Sequence, residues 1–116
     1  MNYITIDGDD IGRRITSCYL NADEKGLKDI SLGLKAAVEN VADLLKSNGF
    51  EVIFCAADGV LAKTHAEVDY EMLFSEIQSC STLNITFSAG VGDTLQSAYV
   101  ALLDSKSSGK NQIKKY

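Results

Sequence analysis

The stretch FEVIFCAADGVLAK, residues 50–63, decides the fold. Residues 50–56 and 60–63 are two short β-prone apolar runs. Ala57-Asp58-Gly59 joins them through an Asp-Gly pair, which marks a tight hairpin because both residues tolerate positive φ. An antiparallel pair here is incompatible with a doubly wound parallel sheet, which needs a helix between consecutive strands.

Upstream, Ile30, Leu34, Val38, Val41 and Leu45 recur at helical spacing while Lys35, Glu39, Asp43 and Lys46 lie off the stripe, and Asn48-Gly49 supplies a left-handed stop. Residues 21–28, polar and containing Gly26, form a connector. Before it, residues 3–6 form a strand, and a loop carrying Gly8 and Gly12 opens a helix that runs to about residue 20. Downstream, Val68, Leu73, Phe74 and Ile77 mark a helix over 67–79, and residues 83–91 form a strand. Asp93 or Thr94 caps a last helix whose core stripe is expected to be Leu95, Ala98, Tyr99, Leu102 and Leu103. A short strand at 112–115 follows Gly109. The order is βααββαβαβ, which predicts an α+β, ferredoxin-like palm: an antiparallel sheet with a central hairpin and helices packed mainly on one face. Residues 1–116 are expected to form one such domain.

With 116 residues, 46% of them hydrophobic, the chain can bury a sizeable core. A net charge of −5 argues against a sequence-independent grip on nucleic acid, which needs many basic side chains to displace counterions. No apolar run is long enough to span a bilayer, and no leader pattern opens the chain, so a cytoplasmic protein without direct DNA or membrane binding is expected. Cys18, Cys55 and Cys80 fit neither a zinc pattern nor a disulfide framework and read as reduced core residues.

Two acidic clusters carry the chemistry. Asp7-Gly8-Asp9-Asp10 follows the first strand, and Asp58 sits at the hairpin turn. Mg²⁺ takes one or two carboxylates and leaves its other positions to water and phosphate oxygens. In a palm the first strand lies beside the hairpin, so Asp7 and Asp58 would meet at one rim of the sheet. Two such carboxylates flanking two Mg²⁺ ions would activate an attacking hydroxyl and neutralise departing pyrophosphate. The loop from Gly8 to Gly12 offers N–H groups to phosphate at a helix N-terminus. One of Asp9 and Asp10 is expected to be that helix's cap, and Asp58 taken alone is explained by its turn. Lys106 continues the last helix's stripe toward the packed face. It serves either an anion or a lysine stem reaching out of the core near a helix C-terminus. Lys110 is a weaker phosphate candidate, and His65 reads as a loop residue.

Residues 3–12 (YITIDGDDIG), 54–59 (FCAADG), 87–91 (FSAGV) and 101–111 (ALLDSKSSGKN) together resemble the GGDEF and CRISPR-polymerase palm group, most closely the minimal CRISPR polymerase family, mCpol. The resemblance covers essentially the whole chain. It implies Asp7 and Asp58 as two-metal carboxylates, the Gly8 carbonyl as a backbone ligand, and Lys106 on a triphosphate. Asp9, Asp10 and Ile11 would line the phosphate loop. It further implies two Mg²⁺ (or Mn²⁺) per site, a nucleoside triphosphate substrate, and a cyclic di- or oligonucleotide signal in antiphage defence, read by a separate and often membrane-bound effector. Ala56-Ala57 stands where relatives have a glycine pair, and Gly59 where many have a second acid. Ile15 and Thr16 replace the guanine-reading Asn-Asp pair of diguanylate cyclases, which points to ATP. A cyclic dinucleotide made by two facing sites would require a homodimer; one palm binding both nucleotides is the alternative.

Other readings stay open at this point. A phosphoacceptor receiver domain has an acidic pair, a central Asp, a hydroxyl residue and a Lys in the order of Asp9-Asp10, Asp58, Ser88 and Lys106. A haloacid-dehalogenase-type phosphatase would use Asp7-Gly8-Asp9 and Gly92-Asp93. Antiparallel strands over 50–64 would remove both. A palm that binds nucleotide without turnover is the remaining one.

Overall fold

Ile4 and Ile6 alternate with Tyr3, Thr5 and Asp7, so the first strand, β1 (Asn2–Gly8), has two distinct faces. In the computed structural model, which describes residues 1–81 and 84–116, β1 is the centre of a five-stranded sheet. The other elements are α1 (Ile11–Leu20), α2 (Glu24–Ser47), β2 (Glu51–Cys55), β3 (Gly59–Thr64), α3 (Tyr70–Gln78), β4 (Phe87–Gly92), α4 (Leu95–Ser107) and β5 (Ile113–Lys115). Their succession is the expected one. Strands lie in the order β2-β3-β1-β4-β5. The β2–β3 hairpin is antiparallel, as are the pairings of β1 with β3 and with β4. That removes the receiver and phosphatase readings. Two details depart from the expectation: the hairpin forms one edge with β1 at the centre, and β5 runs parallel to β4.

One layer of the core packs Ile4, Ile6, Val60, Phe87 and Val91 against Leu34, Val38, Val41 and Leu45 of α2 and Leu73, Phe74 and Ile77 of α3. The opposite face of β4 carries Ser88, Gly90 and Gly92, and there α4 lies against the strand. A Cβ on Gly90 would sit 2.2 Å from the Leu102 nitrogen and 2.3 Å from the Ala98 oxygen. Such an approach requires glycine beneath and small residues above, so the buried positions of α4 are Ala98, Ala101, Leu102 and Ser105. The expected stripe is therefore wrong in part, because Leu95, Tyr99 and Leu103 are about half exposed. Gly90→Ala should cost about 3 kcal/mol, the upper end for overpacking, since backbone rather than a flexible side chain must yield. Urea denaturation measures it.

Side-chain caps fix the starts of α2, α3 and α4. Asp23 accepts from the Gly26 N–H at 2.8 Å, which begins α2 inside the stretch read as a connector. Asp69 caps α3, and Thr94 with Ser97 forms a capping box on α4. The cysteines are free, as expected, but only Cys80 packs against the core: Cys55 ends an edge strand and is exposed, and Cys18 is half-buried. Leu83, where the fourth strand was expected to start, lies outside the described residues. Among the described residues no helix is long and apolar enough to cross a membrane.

Candidate active site

The register of β1 against β3 sets Asp7 opposite Gly59, and the Gly8 N–H donates to the Asp58 carbonyl at 2.8 Å. The two acidic positions, 51 residues apart in sequence, thus share one rim of the sheet. Neither Asp58 nor Gly59 adopts positive φ. The hairpin instead closes over Ala56, Ala57 and Asp58, with the Ala56 N–H donating to the Gly59 carbonyl at 2.9 Å. The backbone reason for an Asp-Gly pair therefore does not apply to Asp58. Glycine at 59 has a different cause, since a Cβ there would lie 2.7 Å from the Ile6 carbonyl oxygen and 3.2 Å from Asp7 Oδ1. An acidic side chain at 59 has no room.

Lys106 reaches this rim from the last turn of α4. Its ammonium lies 3.1 Å from Asp7 Oδ2, and it donates to the Gly8 carbonyl and to Asp9 Oδ1, each at 2.9 Å. Asp7 Oδ2 and the Gly8 carbonyl thus converge on one cation, a hard-oxygen set that fits Mg²⁺ or Mn²⁺. Asp58 stands close enough for its charge to act on Asp7. Among the described residues no three acidic, histidine or cysteine side chains are arranged to hold a metal ion, so the protein's share of a metal shell would be the two carboxylates and a carbonyl. Burial, helped by the charges of Asp58 and Asp9, pushes the Asp7 carboxyl above its ordinary value despite Lys106. Lys106 is held above the ordinary lysine value: burial opposes its charge, and the carboxylates of Asp9 and Asp7 outweigh that.

Asp9 has a different position from the one expected of a phosphate-loop residue. Only 4% exposed, it accepts from Thr86 Oγ1 at 2.6 Å, Ser88 Oγ at 2.7 Å, the Asn111 N–H at 3.0 Å and Lys106. Burial alone would raise its pKa, yet these hydrogen bonds together hold it below the ordinary value. Its lone pairs are engaged in tying β1, β4, α4 and the segment before β5 together. Asp10 occupies the N-cap position of α1 in a left-handed conformation, but its side chain makes no capping bond and instead pairs with Lys110. The expectation that one of the two acids caps the helix is thus met in position, by Asp10, but without a side-chain capping bond. Ile11 is buried in the core, with its side chain packed over Gly8, where an added Cβ would lie 3.0 Å from Ile11 Cγ1; the space beside Gly12 is open. Thr86 and Asn111 were missed as site residues, and Ser88 was named only for the receiver reading, although a polar residue inside a fully buried strand was a legible signal. Arg13 and Arg14, also missed, line a cleft with Asp10 and Thr86.

Two larger hollows flank the hairpin tip. A pocket of about 560 Å³ lies among α1, α2 and the end of β2, lined by Ile15, Leu34, Val38, Glu39 and Ala57. On the other face, a groove of about 660 Å³ ends at Asp7, Asp58 and Lys106.

The sequence profile of the minimal CRISPR polymerase domain, mCpol, matches residues 3–116. No curated protein sequence matches. Among solved structures, an EAL/GGDEF domain protein from M. capsulatus is similar, with a TM-score of 0.69 at 17% identity over 99% of this chain and 83% of that one. The GGDEF domain of DgcB from Caulobacter crescentus, solved in complex with c-di-GMP, gives 0.66 at 15% identity over 98% and 76%. At these identities the likeness is one of fold. The guanylyl cyclase Cya2 is more distant, with 0.53 at 13% identity over 78% and 52%.

Proposed function

The chain belongs to the minimal CRISPR polymerase family, and from that premise we propose that it is a metal-dependent nucleotidyltransferase that joins and cyclises nucleoside triphosphates, with ATP as substrate. The observation that carries the proposal is the convergence of Asp7, the Gly8 carbonyl and Lys106 beside Asp58. Two Mg²⁺ or Mn²⁺ ions held by Asp7, Gly8 and Asp58 would lower the pKa of the attacking hydroxyl and neutralise leaving pyrophosphate.

In each transfer a ribose hydroxyl oxygen bonds to the α-phosphorus of a triphosphate. The bond from that phosphorus to its bridging oxygen breaks, pyrophosphate leaves with the electron pair, and the hydroxyl proton passes to solvent. Lys106, freed from Asp7, would hold the triphosphate, with Lys110 beyond it. The first N–H groups of α1, which have no side-chain cap, supply donors to phosphate oxygens. Asp9 contributes by fixing the loop and Lys106, not by touching phosphate. The donor's base would enter the pocket between α1 and α2, where Ile15 makes no hydrogen bond and Ser31, Lys35 and Glu39 are the polar side chains in reach of a base edge. The product is a cyclic nucleotide signal, consistent with a separate effector and the antiphage role that the family resemblance implies.

Each of the four nucleoside triphosphates incubated with Mg²⁺ or Mn²⁺ tests this. ATP should release pyrophosphate and give a product with the mass of linked AMP units lacking terminal phosphates. Lys106 already seated on Asp7 favours a second reading, nucleotide binding without turnover, in which triphosphate binds and no product forms. No product and no binding would reject both.

A further inference from the structure

Lys106 occupies oxygens that a divalent ion needs. Its ammonium lies 3.1 Å from Asp7 Oδ2 and donates to the Gly8 carbonyl and to Asp9 Oδ1, each at 2.9 Å. An ammonium has three N–H donors and no acceptor, so three oxygens can satisfy it completely. Two of them, Asp7 Oδ2 and the Gly8 carbonyl, are the oxygens assigned above to a metal shell. The third belongs to Asp9, which Thr86, Ser88 and the Asn111 N–H already hold in the interior. Asp9 is therefore a fixed anchor, whereas the Asp7 side chain is 35% exposed and can be approached from solvent. A second cation on Asp7 and the Gly8 carbonyl would lie against the ammonium, and like charges in a half-buried setting are poorly screened.

We propose that Lys106 is a placeholder cation: it keeps Asp7 and the Gly8 carbonyl closed to divalent metal until a triphosphate draws it away. The inference rests on the nucleotidyltransferase reading and adds an order of events to it. Without nucleotide, displacing the lysine from Asp7 leaves its half-buried charge with Asp9 as the remaining carboxylate. A triphosphate changes that balance, because its oxygens offer several negative charges to the same ammonium. The flexible four-carbon stem, rooted in the last turn of α4, lets the ammonium swing to phosphate while Asp9 keeps one of its donors. Metal and nucleotide then assist each other's binding, and the assistance is equal in both directions. Lys106 on Asp7 is on this account the resting state of a working palm, not the mark of a silent one.

Titrating the full chain with Mn²⁺ in the absence of nucleotide, read by electron paramagnetic resonance, tests it. Lys106→Met keeps the buried stem and removes the charge. It should bind Mn²⁺ about tenfold more tightly than wild type, inside the roughly 5–150-fold range usual for coupled sites. Adding Asp7→Asn to that variant should abolish the gain, which places the ion on Asp7. Lys110→Met removes an equal charge from the neighbouring pair with Asp10 and should leave the nucleotide-free affinity near the wild-type value. Equal gains in the two lysine variants would reduce the effect to net charge and overturn the placeholder role, as would a gain that survives Asp7→Asn. An unchanged affinity in Lys106→Met also overturns it. If an ATP analogue bearing a methylene between the α- and β-phosphates still brings Mn²⁺ to the wild type, the nucleotidyltransferase reading stands. No Mn²⁺ on any form of the protein, with or without the analogue, would sink both. Should Lys106→Met fail to fold, the wild type carries the test through the Lys106 ε-methylene resonance in Mg²⁺. That signal should stay in place when Mg²⁺ alone is added and move when the analogue follows; a move of the same size in Mg²⁺ alone overturns the proposal.

Discussion

Asp58→Asn is expected to lower pyrophosphate release by about 10³-fold, because losing a metal carboxylate forfeits several kcal/mol of charge stabilisation at the reacting phosphate. The fold should survive. Asp58 is half-buried, its contribution to the rim is its backbone carbonyl, which accepts from Gly8, and asparagine keeps that carbonyl and the side-chain shape. Turnover should therefore collapse while the urea midpoint stays within the small range usual for surface substitutions. A drop of less than tenfold with an intact fold would remove Asp58 from the chemistry.

Asp9→Ala has the opposite signature. It strips the acceptor from Thr86 and Ser88, leaves the Asn111 N–H with Ser88 Oγ alone, and leaves the half-buried Lys106 charge with only Asp7 and the Gly8 carbonyl. Breaking a buried pair by deleting one partner costs about 3–5 kcal/mol. Since Lys106 retains some solvent access, a loss near 3 kcal/mol is expected, read from urea denaturation at pH 7. Asp10→Ala breaks only the half-exposed pair with Lys110 and should cost less than about 1 kcal/mol. The sign with pH follows from the depressed pKa of Asp9. Its stabilisation is fully present above the ordinary value of 3.8 and is lost as pH falls from there through the lower folded value. The gap between wild type and Asp9→Ala should hold at pH 7 and narrow below pH 3.8.

Much of this was readable in the chain. Binary patterning gave all nine elements in order, because a hairpin flanked by apolar runs and a helix with a clean stripe such as Ile30 to Leu45 leave little choice of period. The meeting of Asp7 and Asp58 followed from the topology those elements imply. Periodicity failed on α4, where Leu95, Tyr99 and Leu103 recur just as core residues do; only the glycine face of β4 fixes how the helix is rotated against the sheet. The turn also misled. Asp-Gly signals left-handed backbone, whereas here glycine is required by the Ile6 carbonyl and Asp7 beneath it. The role of Asp9 could not be read from its neighbours in sequence, since Thr86, Ser88, Lys106 and Asn111 reach it from 77 or more positions away.

Counting bound Mn²⁺ by electron paramagnetic resonance, in the presence of an ATP analogue bearing a methylene between the α- and β-phosphates, tests the central claim most directly: Asp7 on β1 and Asp58 in the turn before β3 hold the catalytic cations. The account predicts two Mn²⁺ per chain in the wild type and a lost or greatly weakened ion in both Asp7→Asn and Asp58→Asn. Unchanged Mn²⁺ binding in the two variants, with their folds intact, would contradict it.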